Sequence, residues 1–196
     1  MTRAARCADG AWYRLSRPLG GLLLRARGDA LCAVDFEQAP RPRAAGGLRE
    51  LDTAAPPLLR EAARQFDEYL RGQRSVFELP LRAEGADFAR RVWEALAGIP
   101  HGSSLSYAQL ALRLGLDRAH ARAVARAVGA NPLLIVVPCH RVIGSDGALR
   151  GYAGGVERKR ALLDLEARTL AAGRRAAQES VGLQLSPKNT PSGARL

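Results

Sequence analysis

The sequence predicts a chain in two parts, an α/β N-terminal portion followed by a mostly α C-terminal portion. Three observations carry this reading. Short apolar stretches broken by turn signals fill residues 11–38, amphipathic helical periodicity begins at Asp87, and the segment from Gly173 to Leu196 has no periodicity. A chain of 196 residues has room for one sizeable domain or two small ones.

Taken in order, Leu22–Arg25 and Leu31–Phe36 suit the strands of a hairpin or small meander, punctuated by Pro18-Leu19-Gly20-Gly21 and Arg27-Gly28-Asp29. Residues 39–50, rich in Pro, Gly and Arg, read as a loop. A helix is expected over Pro57–Leu70, with Leu58, Leu59, Ala62, Phe66 and Tyr69 near helical spacing, and residues 73–85 read as a link between subdomains. Phe88, Val92, Trp93 and Leu96 then form one helical face that ends at Gly98-Ile99-Pro100. Ser106 at the N-cap with Gln109 at N3 is a capping-box signature for the next helix, which stops at Gly115. Another helix is expected from Arg118 to Val128. Its inward stripe is Ala121, Val124, Ala125 and Val128, with Arg118, Arg122 and Arg126 on the outer face. Two short helices joined by a tight turn form a helix-turn-helix pattern. Leu133–Val137 reads as a buried strand, and a last helix is expected from Val156 to about Ala172. Domain boundaries follow at 1–80 and 81–172, with a basic, structureless tail at 173–196.

The chain carries 30 basic and 19 acidic residues, a net charge of +11, which favours a polyanionic partner such as nucleic acid. An Arg-rich solvated surface is the plain alternative. No apolar run is long enough to cross a bilayer, and the start of the chain lacks a secretory signal pattern, so an intracellular home, cytoplasmic or nuclear, is expected. The three cysteines, Cys7, Cys32 and Cys139, are isolated, so neither a disulfide framework nor a zinc ribbon is indicated.

Chemistry concentrates around Cys139, placed where the expected strand emerges into a loop, with His140 beside it as a potential base for the thiol. On the last helix, Lys159, Leu162, Leu163, Glu166 and Leu170 share one stripe, which puts Glu166 in the apolar seam. A buried carboxylate needs a partner. His140 is one chemically sensible choice, giving a Glu–His–Cys relay, and a local Arg or Lys is the other.

The string Val137-Pro138-Cys139-His140-Arg141-Val142 resembles the active-site motif of the O6-alkylguanine-DNA alkyltransferases, the methylated-DNA–protein-cysteine methyltransferases. The likeness extends to Val92-Trp93, Ile99-Pro100, Gly102, Ser106-Tyr107, Gln109-Leu110-Ala111, Arg122-Ala123-Val124, Asn131-Pro132, Gly151-Tyr152, Gly154-Gly155, Lys159 and Glu166. It is strong over about residues 76–168 and holds only in outline before them. The resemblance implies a ribonuclease-H-like sheet in the N-terminal domain and a winged helix-turn-helix in the C-terminal one. It implies a single-turnover suicide enzyme for direct-reversal repair, with Cys139 as alkyl acceptor, activated through His140 and Glu166. Asn131 would tie the helix-turn-helix to the active-site segment, and Tyr107 would help protonate or stabilise the departing guanine. Arg122 would enter the base stack in place of the extruded base. Ala121, Ala123, Ser106 and Arg126 would approach DNA in the minor groove, and Val142, Tyr152, Ala153, Gly154 and Lys159 would form the substrate pocket.

The implied partner is double-stranded DNA containing O6-alkylguanine, with O4-alkylthymine as a further substrate. The protein is expected to act as a monomer, with cooperative binding on DNA left open. No cofactor is expected, no metal, and no membrane. Zinc is not expected because no histidine precedes His101. Two departures from the family pattern stand out. The stretch between Gly115 and Arg122 is one residue longer than usual, and Ala153 stands where some relatives have serine. Three rivals use parts of the same evidence: a non-enzymatic DNA-binding module, a lesion sensor of this fold, and a thiol hydrolase. Cys139 argues against the sensor, and nothing marks an oxyanion hole for the hydrolase.

Overall fold

The computed structural model describes residues 11–39 and 47–184. The N-terminal half is built on β1 (Trp12–Leu15), β2 (Leu22–Arg27), β3 (Ala30–Phe36) and β4 (Leu48–Glu50), in the order β3-β2-β1-β4. The expected hairpin is β2–β3, turned at Gly28, whose φ of 61° is open to glycine at no steric cost. Segment 39–50 was expected to be a loop throughout, but it ends in β4. That strand pairs parallel with β1 and is tied to it by the Arg14–Glu50 ion pair at 2.8 Å. Three residues of Leu-Arg-Glu carry too little pattern for a strand to be read from sequence.

The helix α1 (Pro57–Leu70) starts with proline at its first position, where the missing N–H costs nothing. It buries Leu59, Ala62, Phe66 and Tyr69 in the same core as Leu22, Leu24, Leu31 and Val34 of the sheet. Each such large apolar side chain contributes about 1.5–3 kcal/mol on burial. The link after it runs along the open edge of β3. Leu31 N donates to Pro80 O at 2.8 Å and Arg82 N donates to Leu31 O at 2.9 Å, which satisfies part of that edge.

In the C-terminal half, α2 (Asp87–Ala97) buries Val92, Trp93 and Leu96, whereas Phe88, expected on the same face, is 37% exposed. The short strand β5 (Leu105–Ser106) leads into α3 (Tyr107–Arg113), whose capping box forms as expected: Gln109 N donates to Ser106 Oγ at 3.1 Å and Ser106 N to Gln109 Oε1 at 2.7 Å. The second helix of the pair is broken in two. Residues Arg118–His120 form a 3-10 turn, capped by Asp117, before α4 (Ala121–Gly129) begins. The Gly115–Arg122 stretch, expected to be longer than the family pattern, contains this turn. The buried face of α4 is Val124, Ala127 and Val128 rather than the expected stripe through Ala121 and Ala125. Trp93 Nε1 donates to Ala127 O at 2.9 Å, so α2 draws that side of α4 inward.

Leu133–Val137 is not a strand. Leu133 makes a single bridge to Val34 of β3, and the chain then closes a turn in which Val137 N donates to Leu133 O at 2.9 Å. A short apolar run reports burial, and burial is compatible with either conformation. The chain continues through a 3-10 turn at Cys139–Arg141 into β6 (Val142–Ile143), parallel to β5, and then α5 (Val156–Gln184). The last helix therefore runs beyond the expected end at Ala172. Residues 173–184 are helical because Ala, Arg, Gln and Glu dominate there and no proline interrupts them. The remainder of the expected tail, residues 185–196, lies outside the described residues, as does Cys7. Among the described residues, no helix is long and apolar enough to cross a membrane.

Candidate active site

A cleft of about 1220 Å³ opens between α4 and the segment that follows β6. Ala121, Arg122, Ala125 and Val128 line one wall, Arg150, Gly151, Tyr152 and Ala153 line another, and Tyr107 and Cys139 complete it. Cys139 is 4% exposed, begins the 3-10 turn and lines the cleft. It is not at the exposed end of a strand, as expected from sequence.

Asn131 shapes this turn. Its Oδ1 accepts from Leu133 N at 3.0 Å, while its Nδ2 donates to Val137 O at 2.8 Å and to Cys139 Sγ at 3.1 Å. Within the loop so clamped, Ile135 has φ 72°, a left-handed conformation that costs a β-branched residue about 1–3 kcal/mol. The strain is held by these bonds and by the burial of Leu133, Leu134 and Ile135.

Behind Cys139, His140 and Glu166 are both fully buried, and His140 Nε2 lies 3.0 Å from Glu166 Oε1. A carboxylate oxygen at that distance places the proton on Nε2 and leaves the lone pair on Nδ1, which has no hydrogen-bond partner among the described residues. Burial pushes the His140 imidazole below its ordinary range against the opposing pull of Glu166. Burial alone would raise the Glu166 carboxyl, but hydrogen bonds from His140, Arg141 and Tyr69 outweigh it and hold the group well below the usual carboxylate range.

Four neighbours of Glu166 were not among the sequence candidates. Arg141 Nη2 donates to Oε1 at 2.8 Å and Arg141 Nε to Oε2 at 3.0 Å. Tyr69 Oη donates to Oε1 at 2.6 Å, Gly102 N donates to Oε2 at 2.8 Å, and His101 Nδ1 stands 3.6 Å from Oε1. Arg141 could have been found, since it lies within the motif string beside His140. Gly102 belongs to the family-like residues, but its bond to Glu166 is not readable from them, and Tyr69 and His101 are brought in by tertiary folding and leave no local signal.

The remaining candidates divide. Tyr107 lies at the cleft, its hydroxyl donating to Arg150 O at 3.3 Å, and its phenol is raised by burial and by Cys139. Ala123 and Arg126 are exposed on the far side of α4, away from the cleft. Ser106 caps α3 and borders a smaller adjoining recess. Val142, Gly154 and Lys159 are buried behind the lining instead of on it. Lys159 Nζ donates to Val142 O at 2.5 Å and Arg150 O at 3.0 Å, bracing both ends of the 142–150 loop, and burial lowers its ammonium to about 8. Gly154 packs so closely that a Cβ there would lie 2.5 Å from Phe36 Cδ2.

The two halves match known families. Residues 13–83 match the ribonuclease-like domain of 6-O-methylguanine DNA methyltransferase, and residues 87–168 match its DNA binding domain. A methylated-DNA–protein-cysteine methyltransferase of Methanosarcina barkeri is 40% identical over 161 residues, covering 80% of this chain and 96% of that protein. One of Mycobacterium bovis is 43% identical over 156 residues, covering 79% and 91%. Among solved structures, the Mycobacterium tuberculosis O6-methylguanine methyltransferase superposes with a TM-score of 0.73 at 38% identity, covering 82% of this chain and 94% of that one. The M. tuberculosis protein OGT in complex with DNA gives 0.72 at 37% identity, covering 81% and 94%. With both domain models matched in order and relatives aligned over nearly their full length, the chain belongs to the methylated-DNA–protein-cysteine methyltransferase family.

Proposed function

We propose that this protein repairs O6-alkylguanine in double-stranded DNA by moving the alkyl group onto Cys139, once per molecule, and that O4-alkylthymine is a second substrate. The observation that carries the reading is the placement of Cys139 Sγ at the base of the cleft, with the His140–Glu166 pair directly behind it.

In this reading the Cys139 thiol gives its proton toward His140 Nδ1, directly or through water, and the thiolate attacks the alkyl carbon. The S–C bond forms as the C–O6 bond breaks, and that electron pair passes into the purine, which takes up a proton with the Tyr107 phenol as the neighbouring donor. The net change converts thiol and alkylguanine into thioether and guanine. A thioether has no ready leaving path, so the acceptor is consumed. Because Cys139 is 4% exposed, a base stacked in a duplex cannot reach it, and the alkylated nucleotide must be flipped out at a cost of about a few kcal/mol. Arg122, exposed on α4 at the cleft wall, is suited to fill the vacated stack. Alanines 121, 123 and 125 keep that helix slim enough for the minor groove. The protein is proposed to act as a monomer in the compartment that holds the DNA.

The test is incubation with duplex DNA carrying radiolabelled O6-methylguanine, followed by peptide mapping. The reading requires about one label per molecule on Cys139, lost in Cys139→Ser. DNA binding without transfer would replace it by a lesion-sensing or plain DNA-binding role.

A further inference from the structure

We propose that Tyr69 is a positioning residue for the transfer, its phenol setting how strongly Glu166 pulls on His140. The proposal rests on the reading of Cys139 and His140 given above. Tyr69 belongs to α1 of the N-terminal half, yet it is 1% exposed and its hydroxyl donates to Glu166 Oε1 at 2.6 Å. That oxygen is the one His140 Nε2 uses, at 3.0 Å. The ring is held by Phe77, at 5.2 Å between centroids, and by an edge contact with His101 at 5.8 Å.

An oxygen that already accepts a short O–H bond has less electron density to offer an imidazolium. Each donor added to Oε1 therefore weakens the hold of His140 on a second proton. The groups that face His140 and Glu166 are Tyr69 from α1, His101 from the loop after α2, Cys139 and Arg141 from the 3-10 turn, Tyr152 from the cleft wall, and Lys159 from α5. Among these Tyr69 is a permanent neutral donor, since burial and the Glu166 charge both push its phenol far up. Arg141 and Gly102 N bind Glu166 independently, so deleting the Tyr69 hydroxyl leaves the carboxylate in place and changes its basicity. The N-terminal half thus contributes a group to the relay and not only a scaffold.

Tyr69→Phe keeps the ring and removes the O–H. The full-length chain and this variant are compared by NMR titration of the His140 imidazole, and by the pH dependence of Cys139 alkylation with free O6-benzylguanine and with iodoacetamide. The His140 titration and the acid limb of both reactions are expected to move to higher pH by about half to one unit, the size of one net hydrogen bond. A rate lowered equally at every pH, or a limb unmoved or displaced downward, would overturn the proposal and reduce Tyr69 to packing. Site-specific replacement of Tyr69 by a fluorinated tyrosine, a stronger donor, should move the limb the other way; it decides the matter if the Phe variant does not fold. Failure of the wild type to take up the methyl group from O6-methylguanine duplex would remove the transfer reading, while the titration and iodoacetamide arms would still decide Tyr69.

Discussion

Replacing Glu166 by glutamine preserves the shape of the side chain and removes its charge. In the native site Oε1 accepts from Tyr69 at 2.6 Å, His140 at 3.0 Å and Arg141 Nη2 at 2.8 Å, while Oε2 accepts from Arg141 Nε at 3.0 Å and Gly102 N at 2.8 Å. Every neighbour is a donor. Whichever way the amide is turned, its own NH₂ therefore faces at least one N–H or O–H. Arg141, 6% exposed, keeps only the Ile99 carbonyl at 2.5 Å as a full acceptor. Breaking one side of a buried pair costs about 3–5 kcal/mol, and at about 2–4 °C per kcal/mol for a chain of this size Tm falls by about 6–20 °C. The pH dependence has a definite sign. The Glu166 carboxyl is held below its ordinary value of 4.5, so its contribution is fully present above about 4.5 and is lost as pH falls toward the folded value. Calorimetry near neutral pH and again in acid measures both. A Tm gap of less than about 2 °C at neutral pH, or a gap that widens on acidification, would refute the reasoning.

Arg122→Ala should slow transfer from duplex DNA by about tenfold to a hundredfold, through lost compensation for unstacking, while leaving the reaction with free O6-benzylguanine unchanged. Equal losses on both substrates would assign Arg122 to the pocket instead. Ala153→Ser adds a hydroxyl to the cleft wall and should change the ratio of rates for methyl and bulky adducts; identical rates for every adduct would sink this. Gly102→Ala should destabilise the fold by about 1–3 kcal/mol in a denaturant titration, because its φ of 70° suits glycine and a Cβ there would lie 2.1 Å from Leu170 Cδ1.

The parts of this molecule legible in the sequence are those whose signal is local. The capping box at Ser106, the helical stripe that buries Glu166 and the Pro-Cys-His-Arg-Val string each state their business within a dozen residues. Three features were illegible for one reason: bonds that the pattern of apolar residues does not report decided them. Leu133–Val137 is apolar enough for a strand, yet the Asn131 side chain bends it into a turn by supplying the acceptor and donor a sheet partner would have supplied. The face of α4 shifts to Ala127 because a tryptophan on α2 donates to that residue's carbonyl. Tyr69 was read as part of an apolar stripe, and its ring is buried in the core, but its hydroxyl meets a carboxylate 97 positions along the chain. Amphipathic residues of this kind carry both readings at once, and only packing separates them.

The arrangement also explains how a buried histidine can serve as base. A lone carboxylate beside His140 would hold the imidazolium tightly and leave no unshared lone pair on the ring to take the thiol proton. Here the Arg141 guanidinium and the Tyr69 hydroxyl share the carboxylate and soften its pull on the imidazole, and burial keeps the ring neutral. Glu166 also acts through geometry, fixing the proton on Nε2 and the lone pair on Nδ1. Depth costs such a site little, because a reaction performed once need not release its thioether. On the proposed function, the same depth would require the substrate base to leave its stack, which would favour lesions whose pairing is already weakened. On that reading burial of Cys139 would be a source of selectivity as well as of reactivity, and an exposed cysteine with the same neighbours would lose the first while keeping part of the second.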